Sequence, residues 1–355
     1  MPASLASQGA LVHPHQMEIQ DFSLYALVID ARRPEAFLDD HIPGAVSVPV
    51  PSAGGSCLSS SADTPAPMSV AERGLAMPYE LADRIKPLSR DDLVLVYCDR
   101  GGLDSEAWAS PLRRAGFRVD VLGGGWGNYR KWVDAGLTVL PRALRFRRLL
   151  APPVSGLCCF LGVLAKQGQQ VLDISELAGQ HLVPGLTLRA DSAPSQAAFD
   201  TQLLDRLRRF DPELPIWVRS GPAPLDGLVL PAALRDAIER CESVRLEVPL
   251  AERARAWLDR TQAMQTSVSS LIEAFSASAL PPSRTQVQQW DSLDAAGRTL
   301  ESLAAIIDGY IDPNNKVQNM QQPCRVVRMP SLDLEAVVAM VRDWLGTGPA
   351  AAPAA

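Results

Sequence analysis

Val94-Leu95-Val96-Tyr97-Cys98-Asp99-Arg100-Gly101-Gly102, running on into Leu103-Asp104-Ser105 and a helix-like stretch, is where this chain declares its architecture. A short apolar β run hands one cysteine to a glycine-containing turn, and Ser105 stands where a cap for the next helix belongs. Such a turn points backbone N–H groups and the positive end of a helix at one sulfur. Cys98 is therefore the candidate for nucleophilic or sulfur-carrying chemistry. Arg100, Gly101, Gly102 and Ser105 form the loop that would hold a chalcogen or an anion. The competing structural reading is a buried free cysteine at a strand end.

Working outward, Leu27-Val28-Ile29-Asp30-Ala31-Arg32 has the pattern of a buried strand, and Glu35-Ala36-Phe37 opens a helical turn. His41-Ile42-Pro43-Gly44-Ala45 leads into a strand at 46–50, and Leu122-Gly123-Gly124-Gly125-Trp126 closes the series. In this order, and with the cysteine loop between them, the segments resemble the rhodanese domain. His41 reads as a structural part of its turn.

The length of 355 residues predicts two domains, since single cores stop growing at about 250–300 residues. A net charge of −6 provides no global attraction to nucleic acid. Charge is uneven, however: Arg100 to Leu150 holds ten basic residues against four acidic ones. Within it Arg113, Arg114, Arg130, Lys131, Arg145, Arg147 and Arg148 read either as an RNA-contacting surface or as solvated helix faces. Trp126 and Tyr129 read either as base-stacking or as core residues. The six cysteines form no CxxC pair, so no metal site is expected. No leader pattern or bilayer-length apolar run is visible, which makes a reducing cytoplasm the expected setting and excludes a membrane partner.

The expected strands of the first domain lie near 27–30, 46–50, 93–98 and 119–122, with helices at 78–86, 105–115 and 126–135. Residues 51–76 read as an irregular insertion and 142–148 as a basic connector. A second α/β unit follows, with strands at 171–174, 214–218 and 243–248 and a helix over 197–210. Alternating strands and helices imply a mostly parallel sheet. Residues 250–311 are helical in pattern with a break at Pro281-Pro282, and a strand at 325–328 precedes a last helix at 332–345.

With this second unit included, the chain resembles bacterial tRNA 2-selenouridine synthases, in which a rhodanese domain is fused to a P-loop domain. The resemblance rests on Gly55-Ser56-Cys57, Gly124-Gly125-Trp126-Gly127-Asn128-Tyr129-Arg130, Leu172-Asp173-Ile174-Ser175-Glu176-Leu177-Ala178 and Pro194-Ser195-Gln196 with Phe199. It continues through Pro215-Ile216-Trp217-Val218, Leu230-Pro231, Val248-Pro249-Leu250 with Arg253, and Tyr310-Ile311-Asp312-Pro313. The α/β chain thus divides into five expected parts: from its own residues a flexible arm (1–16) and a disordered tail (346–355), and with the resemblance a rhodanese-like domain (17–140), a P-loop-NTPase-like domain (141–250) that is degenerate here, and a helical C-terminal extension (251–345). The resemblance also implies action on the wobble 2-thiouridine of tRNA, the sulfur being geranylated from geranyl diphosphate and then exchanged for selenium from selenophosphate. Cys98 matches the rhodanese cysteine, tRNA and a sulfur or selenium donor protein are the implied partners, and no cofactor is expected to be tightly held.

Departures from the pattern cluster on phosphate handling. A P-loop needs Gly-x-x-x-x-Gly-Lys-Ser/Thr, whereas the corresponding stretch here is Pro153-Val154-Ser155-Gly156-Leu157-Cys158-Cys159-Phe160, so no nucleotide-binding residues are assigned. Cys158 and Cys159 are expected to be small buried hydrophobes. His181 survives from a His-Arg-Gly-Ser element without its arginine. Arg219-Ser220-Gly221-Pro222 replaces an acidic segment. Asp104 stands where a second loop arginine belongs and repels an anionic donor, by ~0.3–1 kcal/mol if partly exposed. Three readings follow: a tRNA selenium/sulfur transferase, a sulfurtransferase that keeps only rhodanese chemistry with a docking second domain, and a non-catalytic paralogue.

Overall fold

The computed structural model describes residues 11–12, 21–50, 79–99, 102, 104–183, 186–189, 194–219, 227–278, 280–314 and 325–346. In chain order the elements are β1 (Leu11–Val12), β2 (Tyr25–Asp30), α1 (Pro34–Asp39), β3 (Val46–Ser47), α2 (Tyr79–Ile85), β4 (Leu93–Tyr97), α3 (Glu106–Arg114), β5 (Arg118–Leu122) and α4 (Gly125–Ala143). Then come β6 (Phe146–Leu150), α5 (Leu157–Lys166), β7 (Gln170–Leu172), α6 (Ile174–Leu177), β8 (Gln180–Val183), β9 (Leu186–Arg189), α7 (Gln196–Leu207), β10 (Ile216–Arg219), α8 (Ala232–Arg240) and β11 (Glu242–Glu247). The chain finishes with α9 (Leu250–Ala263), α10 (Val268–Ser276), α11 (Arg284–Ala295), α12 (Thr299–Ile306), a π-helical turn at Ile307–Ile311, α13 (Asp312–Asn314), β12 (Arg325–Arg328) and α14 (Leu334–Gly346). Two compact units result, one from 1–139 with 194–209 and one from 140–193 with 210–355.

Unit one is built on a five-stranded sheet in the order β1-β5-β4-β2-β3, every neighbouring pair parallel. β4 is its central strand, and Val94, Leu95, Val96 and Tyr97 are all buried, as a parallel strand covered on both faces requires. β3 stops at Ser47 although the pattern reads on to Val50. Pro49 has no N–H to give the ladder, yet Val48 and Val50 still donate to the carbonyls of Asp30 and Ala31. Helix α4 runs eight residues past the expected 135. Gly136 lies inside the helix, where it serves a close approach. A Cβ there would lie 2.6 Å from Leu204 of α7. The flexible arm expected at 1–16 is corrected at Leu11–Val12, which pair with β5 as β1, and Gly346, expected to open the tail, ends α14; the rest of the arm, the insertion at 51–76 and residues 347–355 lie outside the described residues.

Unit two carries a second parallel sheet, β12-β11-β6-β10-β7, and a two-stranded antiparallel pair, β8-β9. The α/β class, with an N-terminal sheet domain, a second parallel sheet and helices at the C-terminal end, is as the sequence implied. The basic connector at 142–148 is a correction: Phe146 to Leu150 form the central strand β6, whose Phe146, Leu149 and Leu150 are buried. Arginines there mask an apolar strand when charge is read before alternation. Leu149, Phe160, Trp217, Leu246 and Trp344 belong to one core. Trp257, Phe275, Trp290 and Tyr310 anchor a second core among α9 to α12. The helical break at Pro281-Pro282 falls between α10 and α11, where Ser283 and Gln286 form a capping box. Among the described residues no helix is long and apolar enough to cross a membrane.

Candidate active site

In unit one the chain leaves β2 toward β3 on one side and returns to β4 on the other, so the strand order reverses between β2 and β4. The carboxyl ends of strands at such a reversal are where open α/β sheets bind ligands. Asp30 ends β2 there, and Cys98 follows β4. The Trp126 N–H donates to the Cys98 carbonyl at 2.8 Å, which ties the β5–α4 turn to the cysteine. Gly124 makes that turn possible with a φ of +70°, and the Asn128 side chain fills the space a Cβ would take.

Beside the cysteine lies a buried polar network. Arg32 donates through Nε and Nη2 to both carboxylate oxygens of Asp30, at 2.7–3.1 Å, and through Nη2 to the Asp40 carbonyl at 2.6 Å. Tyr97 donates to Asp30 at 2.6 Å and accepts from the Ile42 N–H at 3.2 Å. Burial pushes the Tyr97 hydroxyl well above its ordinary range, and the Asp30 carboxylate adds to the shift. For Arg32 burial acts to lower the pKa, but hydrogen bonding and charge from Asp30 outweigh it and the net shift is upward. The Arg32 guanidinium lies 3.8 Å from the Trp126 ring centroid, a close cation–π contact. Trp126 also stacks on Tyr97 and on Tyr129, so both aromatic candidates pack internally.

Cys98 itself is 1% exposed and belongs to the apolar cluster with Ile29, Val96, Trp108 and Val121. Its thiol is covered, as the reading of a buried free cysteine at a strand end expects. Arg100 and Gly101 lie outside the described residues. Gly102 has φ +135°, and its carbonyl accepts from the Glu106 N–H at the start of α3. Ser105 is also corrected. It takes the N-cap position in helical φ and ψ without a side-chain cap bond, and its hydroxyl is buried with no partner among the described residues.

The seven basic candidates divide between the units. Arg113 forks onto Glu106 and also donates to the Val119 carbonyl, whereas Arg114 and Lys131 are exposed. Arg130 is 21% exposed and engaged internally, with Nη1 on Asp40, Thr201 and the Ala197 carbonyl. In unit two, Arg145 reaches Glu213 and Arg147 reaches Glu242. Arg148 is buried on β6, its Nε without a partner among the described residues.

The loop from β6 to α5, Ala151-Pro152-Pro153-Val154-Ser155-Gly156, does not fit a diphosphate. Two prolines offer no N–H, Ser155 is buried, and the Leu332 side chain occupies the space over Gly156. Lys166 ends α5, about 14 Å along the axis from its start. Arg253 pins the loop through the Pro153 carbonyl while forking onto Asp312, so two of the resembling motifs meet in one ion pair. Cys158 and Cys159 are exposed, against expectation. The buried face of α5 is Leu157, Phe160, Leu161 and Leu164, and helical spacing places both cysteines off it. Burial of Cys159 is enough to raise its thiol pKa, with Cys158 adding to the shift. Among the described residues no three His, Cys, Asp or Glu side chains converge as a metal site needs.

A family model of the rhodanese-like domain matches residues 16–131. Among solved structures, the reduced CoADR-RHD of Bacillus anthracis is similar at 19% identity over 36% of this chain, with a TM-score of 0.24, and the match spans 17% of that protein's length. No curated protein matches the chain. Residues 16–131 are thus a rhodanese-like domain, and Cys98 lies within it.

Proposed function

We propose that the protein is a rhodanese-type sulfurtransferase in which Cys98 carries the transferred sulfur. The observation that supports this most is the position of Cys98 at the carboxyl end of the central strand, at the reversal of strand order, inside a rhodanese-like domain. With thiosulfate as donor, the Cys98 thiolate attacks the outer sulfur. The S–S bond of the donor breaks, sulfite leaves with the electron pair, and a cysteine persulfide remains. An acceptor thiolate then takes the outer sulfur and releases Cys98. Incubation with thiosulfate followed by intact-protein mass spectrometry should give a one-sulfur adduct on the wild type and none on Cys98→Ser. An adduct that persists in the serine variant refutes the assignment.

The finer reading takes the wobble 2-thiouridine of tRNA as acceptor, with a sulfur or selenium donor protein upstream. Its support is the order of motifs shared with 2-selenouridine synthases, while the β6–α5 loop speaks against geranyl diphosphate as co-substrate. Binding of tRNA at low salt, together with 2-selenouridine in tRNA from cells relying on this protein, would support it; absence of both refutes it. One observation favours a second reading, a non-catalytic paralogue: the 1% exposure of Cys98. A wild-type protein that forms no adduct with thiosulfate or a persulfide donor would establish that reading instead.

A further inference from the structure

We propose that Thr201 and Arg130 are positioning residues for Cys98, so that helix α7, encoded well beyond residue 131, is a working part of the rhodanese-like site. This deepens the sulfurtransferase reading and rests on it for the chemistry, though not for the coupling.

Asp40 is the link between α7 and the Arg32 network. Its carboxylate is buried and takes hydrogen bonds from the Thr201 hydroxyl at 2.9 Å and the Arg130 Nη1 at 3.0 Å. Its carbonyl takes the 2.6 Å bond from Arg32. One residue therefore joins α7 on its side-chain face to the Arg32 network on its backbone face. From Arg32 two routes reach the cysteine. The first runs through Asp30 and the Tyr97 hydroxyl to the residue preceding Cys98. The second runs through the guanidinium against Trp126, whose N–H holds the Cys98 carbonyl. From Thr201 through Asp40, Arg32 and Asp30 to Tyr97 every group is buried, so a displaced link leaves a polar group unpaired rather than relaxing into water.

Helix α7 is fastened at its start as well. Ser195 accepts from the Ala198 N–H as its N-cap and donates to the Asp39 carbonyl, one residue before the lever. Arg130 adds the Ala197 carbonyl and lies 3.6 Å from Asp200. The helix is thus held by a cap, a hydroxyl and a guanidinium, all converging on residues 39 and 40. A helix that only covered apolar surface would need the cap but not the bonds that Thr201 and Arg130 send to Asp40.

Thr201→Val removes the hydroxyl at nearly constant volume, and Thr201→Ser restores it. The readout is the rate of iodoacetamide labelling of Cys98 in the native full chain by peptide mass spectrometry, with exposed Cys158 in the same molecule as internal standard. Losing the hydroxyl that donates to Asp40 and accepts from Arg130 should raise Cys98 labelling about five- to tenfold in the valine variant. Labelling of Cys158 should not change, and the serine variant should return to within about twofold of wild type. Should the valine variant fail to fold, Arg130→Gln is read in the same way, because the neutral amide cannot satisfy Asp40, Thr201 and Ala197 together. Wild-type labelling in the folded variant, or no rescue by serine, overturns the proposal. Persulfide formation is measured alongside. If even wild-type protein forms none, the sulfurtransferase reading fails while the labelling comparison still decides whether α7 is coupled to Cys98.

Discussion

Arg130→Ala should destabilise unit one by about 2 kcal/mol at neutral pH, and the deficit should shrink on acidification. Breaking a buried ion pair by deleting one partner costs about 3–5 kcal/mol, because the remaining charge is stranded. Two features of the structure reduce that figure. Arg130 retains 21% exposure, and Thr201 continues to donate to Asp40 after the arginine is gone. Burial already holds the Asp40 carboxyl above its ordinary range, with the Thr201 bond and the Arg130 charge acting against the shift. Asp200 is raised likewise, by burial first, and opposed by its Gln196 bond and by Arg130. A carboxyl with a raised pKa binds its proton more tightly folded than unfolded. Stability therefore falls as pH rises from the ordinary value near 4 through the raised one. Deleting Arg130 pushes both carboxyls further up and widens that window, so the variant suffers most above it and recovers below it. Hydrogen exchange of peptides within 126–137 and 197–207, corrected for intrinsic rates, reads unit one separately. Protection there should fall by roughly thirtyfold at pH 7.5 and by much less at pH 5. A loss that does not depend on pH, or a loss below about threefold at pH 7.5, refutes the reasoning.

Three further outcomes follow from single contacts. Gly136→Val should lower stability by about 1–3 kcal/mol in a urea melt, because the new side chain meets Leu204 where a bare Cβ is already at 2.6 Å. An unchanged midpoint would mean that α4 and α7 are not packed as described. Ser105→Ala should be neutral or up to about 1 kcal/mol stabilising, since it removes a buried hydroxyl without a partner among the described residues. A clear loss in thermal stability would show that the hydroxyl is bonded after all. In native wild-type protein, iodoacetamide followed by peptide mapping should find Cys158 and Cys159 modified before Cys241, whose burial raises its thiol pKa and whose sulfur donates to the Ile238 carbonyl. Equal rates would contradict the exposures.

The parallel sheets were legible because their strands are nearly continuous apolar runs bounded by turn residues, as in Val94 to Tyr97 and Ile216 to Val218. β6 was not. Its Phe-Arg-Arg-Leu-Leu reads as a charge cluster, and only the structure shows that Arg147 lies against Trp217 while Arg148 is buried. The extent of α4 was missed for a related reason. A glycine reads as a stop signal in a helical pattern, and nothing local distinguishes that from a glycine required by a neighbour distant in sequence. Ser105 misleads through its residue type, since a serine before a helix predicts a side-chain cap yet here adopts helical angles without that bond. The placing of α7 in unit one is a tertiary fact that no local pattern contains.

Motif residues present a different difficulty, because structural and chemical constraint look alike in one dimension. Ser195 of Pro-Ser-Gln caps α7, and Asp173 caps α6 by accepting from the Ser175 and Glu176 N–H groups. Arg253 and Asp312 form a bidentate pair that also fixes Pro153. Each of these residues stands in a segment that suggested a phosphate- or RNA-handling enzyme, and each is occupied in holding a helix end or a loop. Arg130 belongs with them: it was grouped with RNA-contacting cations, but its guanidinium is directed at Asp40, Thr201 and a helix carbonyl. A cation that stabilises a buried carboxylate in this way has few donors left for a phosphate. Of the candidate cations in unit one, Arg114 and Lys131 are the exposed ones and the first to test for an RNA contact. If substituting both leaves tRNA binding at low salt unchanged, neither contributes to it, and the grouping of basic residues after Cys98 as an RNA surface fails in unit one, since Arg113 and Arg130 are already held by internal partners.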